Sequence, residues 1–126
     1  MQTQHTVLLA MLVSFGLGGL AVKVLHAQAR APGYMIAEVD VIDEAGYKKF
    51  VEGTSATVPA SGGRYIVRGG RTSVVNGASP KRVAVIQWES YEKAQSYFNS
   101  EAYKQLIPLR DKSSNARIFV IEGVAN

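Results

Sequence analysis

Residues Gly33–Val41 read GYMIAEVDV, and the pattern of apolar residues in this stretch is the strongest indication of the fold. One set of alternate positions is apolar throughout, namely Met35, Ala37, Val39 and Val41. The positions between them hold Tyr34, Ile36, Glu38 and Asp40. A period of two with one apolar face is typical of a β-strand that packs that face on a core. We therefore expect a first strand whose Met35 side meets helices.

Two helices are predicted from their capping residues and their apolar spacing. The segment Asp43–Val58 begins with a suitable N-cap and continues with apolar residues at helical spacing until Pro59. Ser90 is a suitable N-cap for a second helix, and Ser100 for a further helical turn after it. The apolar positions of these helices are expected to form core or its rim.

Three more strands complete the pattern. They are predicted at Arg64–Arg68 (RYIVR), Arg82–Trp88 (RVAVIQW) and Arg117–Glu122 (RIFVIE). The order β-α-β-β-α-β is that of the ferredoxin-like fold, an α+β fold in which a four-stranded antiparallel sheet carries both helices on one face. The other face of such a sheet is bare, so the sequence predicts a homodimer, a dimeric α+β barrel closed by two sheets.

The side chains on that open face depend on the phase of the second and third strands. Both strands have apolar residues on both faces, so their alternation leaves the phase ambiguous. Two guanidiniums beneath helices would be costly unless paired, which favours Arg68 and Arg82 on the open face. That face is then expected to combine Glu38, Asp40 and Trp88 with the two arginines.

The N-terminal segment, residues 1–29, is predicted to be a signal peptide. Val7–Val22 reads VLLAMLVSFGLGGLAV without a charged residue, and Ala27-Gln28-Ala29 is a small-x-small cleavage triplet. Lys23 between them and the lack of Lys or Arg before the apolar run leave an uncleaved membrane anchor as the alternative. Residues 30–126 form the predicted domain, located in the periplasm or secreted.

Composition excludes several classes of function if residues 1–29 are removed. The chain has no cysteine, and both histidines, His5 and His26, lie in the removed segment. Nucleophilic sites that pair Ser or Cys with His cannot then be built, and zinc and copper lose their preferred ligands. The net charge of +3 left by 13 basic and 10 acidic residues is spread out, unlike a nucleic-acid-binding stripe. The sequence predicts no metal, no cofactor and no nucleic-acid partner.

Several short elements resemble one known family. They are GGRYIVRGG at Gly62–Gly70, Lys81-Arg82-Val83, Trp88-Glu89-Ser90, Ser100-x-x-Tyr103, Arg110 and Ile121-Glu122-Gly123. Together they resemble the thirteen-thirty domain-of-unknown-function family, over Tyr34–Val124. The resemblance implies a dimeric α+β barrel related to antibiotic-biosynthesis monooxygenases and muconolactone isomerase, and it carries no established activity. The family usually has Phe-Pro-Ser where this chain has Trp88-Glu89-Ser90.

The element Arg68-Gly69-Gly70-Arg71 is the sharpest local candidate for a binding site. Two arginines around flexible backbone are suited to holding a carboxylate or a phosphate. The alternative is structural, with the glycines bending the strand and the arginines paired to Glu38, Asp40 or an acid of a partner subunit.

Glu38 and Asp40 are the candidate catalytic residues. Because they lie two residues apart on one strand face, one of them could have a raised pKa and act as a general base. The alternative is a pair neutralised by Arg68 and Arg82. Trp88 with Tyr34 is interpreted either as the floor of an apolar ligand pocket or as part of a dimer interface.

Three functions remain open. The first is a dimeric barrel that binds a small anionic or aromatic molecule in the cavity between its two sheets, using Tyr34, Arg68, Arg71, Arg82 and Trp88. The second is a cofactor-free enzyme like the monooxygenase or isomerase relatives, with Glu38 or Asp40 as base and an arginine stabilising an enolate-like oxyanion. The third is a purely structural dimer. Whether the protein is an enzyme is left open.

Overall fold

The computed structural model describes residues 30–126. The predicted signal peptide, residues 1–29, lies outside these described residues. Within the described part of the chain, no helix is both long and apolar enough to cross a membrane.

The described residues form four strands and four helices, in the predicted order of the main elements. The strands are β1 (Gly33–Val41), β2 (Arg64–Arg68), β3 (Arg82–Trp88) and β4 (Ser114–Glu122). The helices are α1 (Glu44–Ala60), α2 (Tyr91–Phe98) and the short α3 (Glu101–Lys104) and α4 (Ile107–Ser113). The fourth strand begins three residues before its predicted start, since the backbone from Ser114 already pairs with β1.

The sheet has the strand order β2-β3-β1-β4, and all neighbouring strands are antiparallel. One face of it meets the helices through Met35, Ala37 and Val39 of β1, as the alternation in β1 predicted. From the helices, Phe50 and Val58 pack on the same core. This is the ferredoxin-like α+β fold, so the predicted fold class is confirmed.

The caps predicted for the later helices are present. The hydroxyl of Ser90 accepts a hydrogen bond from the backbone N–H of Lys93 (3.2 Å), and that of Ser100 accepts one from Tyr103 (3.3 Å). Asp43 occupies the N-cap position of α1 with extended backbone, but its side chain makes no capping hydrogen bond. The sequence therefore located the starts of three of the four described helices, two of them with the predicted bonds, and it did not predict the start of α4 at Ile107.

Trp88 lies in the core beneath the helices and is 1% exposed. Its ring centroid is 5.4 Å from that of Tyr97 and 5.7 Å from that of Phe98, and its indole N–H donates to Ser61 Oγ (2.9 Å). A Cβ atom on Gly63 would lie 2.7 Å from the indole, so this position requires glycine. The predicted placement of Trp88 on the open face was wrong.

The register of β3 also places Arg82 on the helix-facing side. Arg82 is opposite Val39, and Trp88 is opposite Gly33, so both share the phase of the apolar β1 face. Arg82 avoids the expected burial cost because it lies at the strand end, where its guanidinium is exposed and rests over the ring of Tyr47 (5.1 Å to the centroid). Its predicted position on the open face was wrong.

A β-bulge reverses the phase of Arg68. Tyr65 is opposite Ile86, but the register then shifts so that Val67 is opposite Val85 and Arg68 is opposite Ala84. An extra residue on one strand moves every later side chain to the other face. Arg68 therefore lies on the helix-facing side, and its predicted position on the open face was wrong as well.

Candidate functional site

A cavity of about 340 Å³ lies between the helices and the sheet. Its sheet wall comes from helix-facing residues of all four strands, including Met35, Ala37, Ala84 and Ile86. Its helix wall comes mainly from α1 and α2, including Phe50, Thr54, Val58, Tyr97 and Phe98, with one residue each from α3 and α4. The inward faces of these elements are apolar because they also form the core, so most of the lining is hydrocarbon and aromatic ring.

Four tyrosines place hydroxyl groups around this apolar cavity: Tyr47, Tyr65, Tyr97 and Tyr103. The Tyr65 hydroxyl donates to Thr54 Oγ1 (3.0 Å), and the Tyr97 hydroxyl shares a hydrogen bond with Thr57 Oγ1 (2.7 Å). Both partners lie on α1, so this helix fixes the positions of the Tyr65 and Tyr97 hydroxyls.

Burial raises the pKa of three of these phenols above the ordinary value of a tyrosine. It raises the pKa of Tyr97 and of Tyr103, and hydrogen bonds from Thr57 and Arg110 offset only part of that effect. Burial also raises the pKa of Tyr47, against the opposing influence of the Arg82 guanidinium. The cavity wall therefore offers uncharged hydroxyls that can donate or accept a hydrogen bond.

Arg68 and Arg82 lie at the mouth of the cavity, since both line it and both are exposed. Arg68 donates to Ser55 Oγ on α1 and rests 4.3 Å from the ring centroid of Tyr65. Arg82 has one acid near it, Glu44, at 3.9 Å. That carboxylate is 79% exposed, and an ion pair of this kind contributes little.

The charged side chains among the described residues that line the cavity are all positive. Of the described residues that line it, none carries a carboxylate, whereas three carry guanidiniums: Arg68, Arg82 and Arg110. Both arginines at the mouth rest over aromatic rings, and the acid near Arg82 is the exposed Glu44, so both guanidiniums can meet a bound anion with little rearrangement.

Arg110 has a different role from the other two arginines. It donates from Nη1 to the Tyr103 hydroxyl (2.9 Å) and from Nε to Asp111 Oδ1 (3.0 Å). Burial alone would lower its pKa, but the contacts with Tyr103 and Asp111 outweigh burial and raise it. Arg110 therefore positions Tyr103 and is already neutralised by an acid.

The two candidate catalytic acids lie on the opposite side of the sheet from the cavity. Glu38 lies 3.9 Å from Arg117, and Asp40 lies 3.3 Å from Lys81. The expected pairing of these acids with Arg68 and Arg82 was wrong, because the bulge in β2 and the phase of β3 turn both arginines to the helix side.

The other predicted site residues are divided between three places. Tyr34 lies on the open face, opposite Gln87 and Ile121, and Trp88 is in the core. Arg71 follows β2 in the exposed arm of the β2–β3 hairpin. The structure therefore does not assemble the predicted face of acids, arginines and tryptophan.

The tyrosine lining was missed because a buried tyrosine on a helix or strand face is indistinguishable by spacing from an ordinary core residue. The available signal was the number of such tyrosines, together with hydroxyl partners such as Thr54 and Thr57 on one helix. Within residues 30–126, no group of three or more potential metal-ligating side chains occurs.

Fold and cavity together define a ferredoxin-like α+β domain with an interior large enough for a small organic molecule. The chain belongs to the family described as a domain of unknown function (DUF1330), whose sequence profile matches residues 32–124. The resemblance of the GGRYIVRGG element and its companions to the thirteen-thirty family is thereby confirmed. The comparison with curated proteins found no significant match.

Solved structures share the fold at low sequence identity. A protein of unknown function from Rhodopseudomonas palustris is 11% identical with a TM-score of 0.63, covering 84% of this chain and 94% of its own. A hypothetical protein from Arabidopsis thaliana is 15% identical with a TM-score of 0.54, covering 79% and 91%. A dimeric ferredoxin-like protein of unknown function from Thermobifida fusca is 8% identical with a TM-score of 0.51, covering 75% and 92%. At these identities the likeness shows the fold alone.

Proposed function

We propose that this domain binds a small molecule with an apolar or aromatic body and an anionic end. The observation that carries the proposal is the apolar cavity of about 340 Å³ with Arg68 and Arg82 at its mouth and no acid in its described lining. The cavity replaces the space between two sheets as the proposed site, because the arginines face the helices.

The lining matches the parts of such a ligand. An aromatic body would replace water against Met35, Phe50 and Ile86, and burial of apolar surface is worth about 25 cal/mol per Å². Neutral hydroxyls such as that of Tyr97 would select among ring substituents by hydrogen bonding. The anionic end would meet the two guanidiniums, whose charged hydrogen bonds are roughly twice as strong as neutral ones.

A binding role is favoured over a cofactor-free enzyme by the position of the acids. The enzyme hypothesis used Glu38 or Asp40 as base, and both lie on the open face with basic neighbours. A base has to come within hydrogen-bond reach of the proton it removes. The body of a molecule held between helices and sheet is separated from these two carboxylates by the sheet, because both carboxylates belong to the open face.

The test is a thermal-shift screen of aromatic carboxylates, followed by calorimetry on any compound that binds. A ligand at 100 times its Kd adds about 2.7 kcal/mol to stability. For a domain of this size, that corresponds to a rise in Tm of more than about 10 °C. Flat shifts across the whole set would refute the proposal.

Two variants locate the site, with a third as control. Ala84→Leu adds three carbon atoms inside the cavity, and Arg82→Gln removes a guanidinium at its mouth. Both should weaken binding about tenfold or more while the protein stays folded. Arg117→Gln removes an exposed guanidinium on the open face and should leave affinity unchanged. Equal binding by Ala84→Leu and the unmodified protein would place the ligand elsewhere.

We also propose that two copies associate through the open face of the sheet. Ile36 lies opposite both Val85 and Phe119 there, which gives an apolar strip across three strands. The Thermobifida fusca protein with this fold is described as dimeric, which supports the proposal. Phe119→Asp should convert a dimer into a monomer in sedimentation analysis, and a monomeric unmodified protein would refute the proposal.

Export remains a further proposal, supported by the apolar run Val7–Val22 and the triplet that ends at Ala29. The test is cell fractionation with N-terminal sequencing of the recovered protein. A mature N-terminus at Arg30 outside the cytoplasm is the expected result. An intact N-terminus in the membrane fraction would instead favour the anchor.

A further inference from the structure

We propose that the base of the β2–β3 hairpin arm is a second anion subsite, so that the ligand has a doubly charged head. This inference rests on the proposed function, since it extends the same ligand from the cavity onto the adjoining surface. It names the ligand class more narrowly as an aromatic or apolar body that carries a dianion.

A second cavity, of about 280 Å³, lies where the two arms of the hairpin separate. Its lining includes Arg71 and Lys81 from opposite arms. It shares Gly69 and Arg82 with the cavity between helices and sheet. The two spaces therefore adjoin at these two residues, where β2 ends and β3 begins, so the end of a molecule held in the first can extend past the sheet edge towards the second.

The basic groups of this second cavity are only partly neutralised. Lys81 lies 3.3 Å from Asp40, and Arg82 lies 3.9 Å from the exposed Glu44. Arg71 makes no ion pair with any acid in residues 30–126, and no carboxylate from that part of the chain lines the cavity. Arg71, Lys81 and Arg82 therefore carry more positive charge than the two nearby acids neutralise, and the second cavity has an excess positive charge.

The backbone at this point can add donors to the side chains. The ladder between the strands ends with the hydrogen bond from Gly69 N–H to Val83 O (2.9 Å). Gly69 and Gly70 then take φ angles of +64° and +130°, which favour glycine. The N–H groups of Gly70, Arg71 and Thr72 have no backbone acceptor within the described chain. These N–H groups are therefore available to donate to an anion bound at the base of the arm.

A dianion fits this arrangement better than a single carboxylate does. Arg68 and Arg82 at the cavity mouth are enough to hold one negative charge. Arg71, Lys81 and the free N–H groups would then hold a second charge on the same head group. Phosphate monoesters and adjacent dicarboxylates both meet this requirement, and the test below separates them.

The test is calorimetric titration of the full protein with benzoate, phthalate and phenyl phosphate, which share one ring and differ in the head. Both dianions should bind about tenfold more tightly than benzoate, as expected for one added charged hydrogen bond. A preference confined to phenyl phosphate would assign the subsite to phosphate, and one confined to phthalate would assign it to dicarboxylates.

Arg71→Gln and Lys81→Gln should each remove most of the preference for the dianions and leave benzoate affinity within about twofold. Lys93→Gln is the matched control, because Lys93 is also an exposed lysine beside an acid, Glu89 (2.8 Å), but lines neither cavity. It should change none of the affinities.

The possible failures are distinguishable. If benzoate binds and the dianions gain nothing over it, the subsite is refuted and the proposed function stands. The subsite is likewise refuted if Arg71→Gln weakens all three probes equally. If none of the three binds, both the proposed function and this inference are overturned.

Discussion

Replacing Trp88 with alanine tests the placement of this side chain in the core. The indole is 1% exposed and packs against the rings of Tyr97 and Phe98. Truncating a buried aromatic residue to alanine costs about 3–5 kcal/mol, through lost transfer energy and the cavity left behind. A domain of this size has a total stability of about 5–15 kcal/mol, so Trp88→Ala should be close to the limit of folding.

Two milder variants divide that cost into its parts. Ser61→Ala removes the acceptor of the indole N–H (2.9 Å) and should cost about 1–3 kcal/mol, because the buried donor is left without a partner. Trp88→Phe keeps an aromatic ring but loses the hydrogen bond and some volume, so its cost should lie between those of the other two variants.

The assay is urea unfolding followed by far-UV circular dichroism at two protein concentrations. Circular dichroism is needed because Trp88 is the only tryptophan of the chain, and its removal abolishes the tryptophan fluorescence by which unfolding is usually followed. A cost below about 1 kcal/mol for Trp88→Ala would refute the core placement. A cost that depends on protein concentration would instead indicate that Trp88 lies at an interface.

Three further predictions concern a cap, a pair of buried phenols and a turn. Ser90→Ala should lower stability by about 1 kcal/mol in thermal melts because it removes the cap of α2, whereas Ser96→Ala in the same helix should change it little. The free energy of unfolding should fall above about pH 10, because the phenols of the unfolded chain lose their protons first while burial keeps Tyr97 and Tyr103 protonated in the folded protein. Urea unfolding measured across that pH range is the test, and the absence of such a fall would contradict the burial of these hydroxyls. Gly70→Ala should destabilise by about 1 kcal/mol in the same assay, because alanine is strained at a φ of +130°, and an unchanged midpoint would contradict this backbone conformation.

The fold could be predicted because apolar periodicity and capping residues locate its main elements, even where the phase of a strand is ambiguous. The period of two in β1 has one fully apolar face, which fixes the side that meets the helices. Ser90 and Ser100 marked the starts of two helices because a hydroxyl before an apolar helical pattern satisfies a free backbone N–H. These signals depend only on neighbours in sequence.

The site could not be predicted because it depends on the phase of two strands. The β3 sequence RVAVIQW is apolar on both faces, so only pairing with β1 decides that Arg82 and Trp88 face the helices. The face on which Arg68 lies depends on a β-bulge, and no residue type in RYIVR indicates a bulge. The cost of burying two guanidiniums favoured the open face, but the structure avoids this cost because both guanidiniums are exposed and rest over tyrosine rings.

The bulge in β2 also affects how relatives of this protein can be compared. Deleting one residue between Tyr65 and Arg68 would restore the regular ladder and turn the Arg68 guanidinium away from the cavity. Two homologues that align an arginine at this position, but differ by one gap in the strand, would carry that arginine on opposite faces of the sheet. Alignments of this family should therefore treat a single-residue gap in β2 as a change of the face that bears the arginine, even where the arginine itself is aligned.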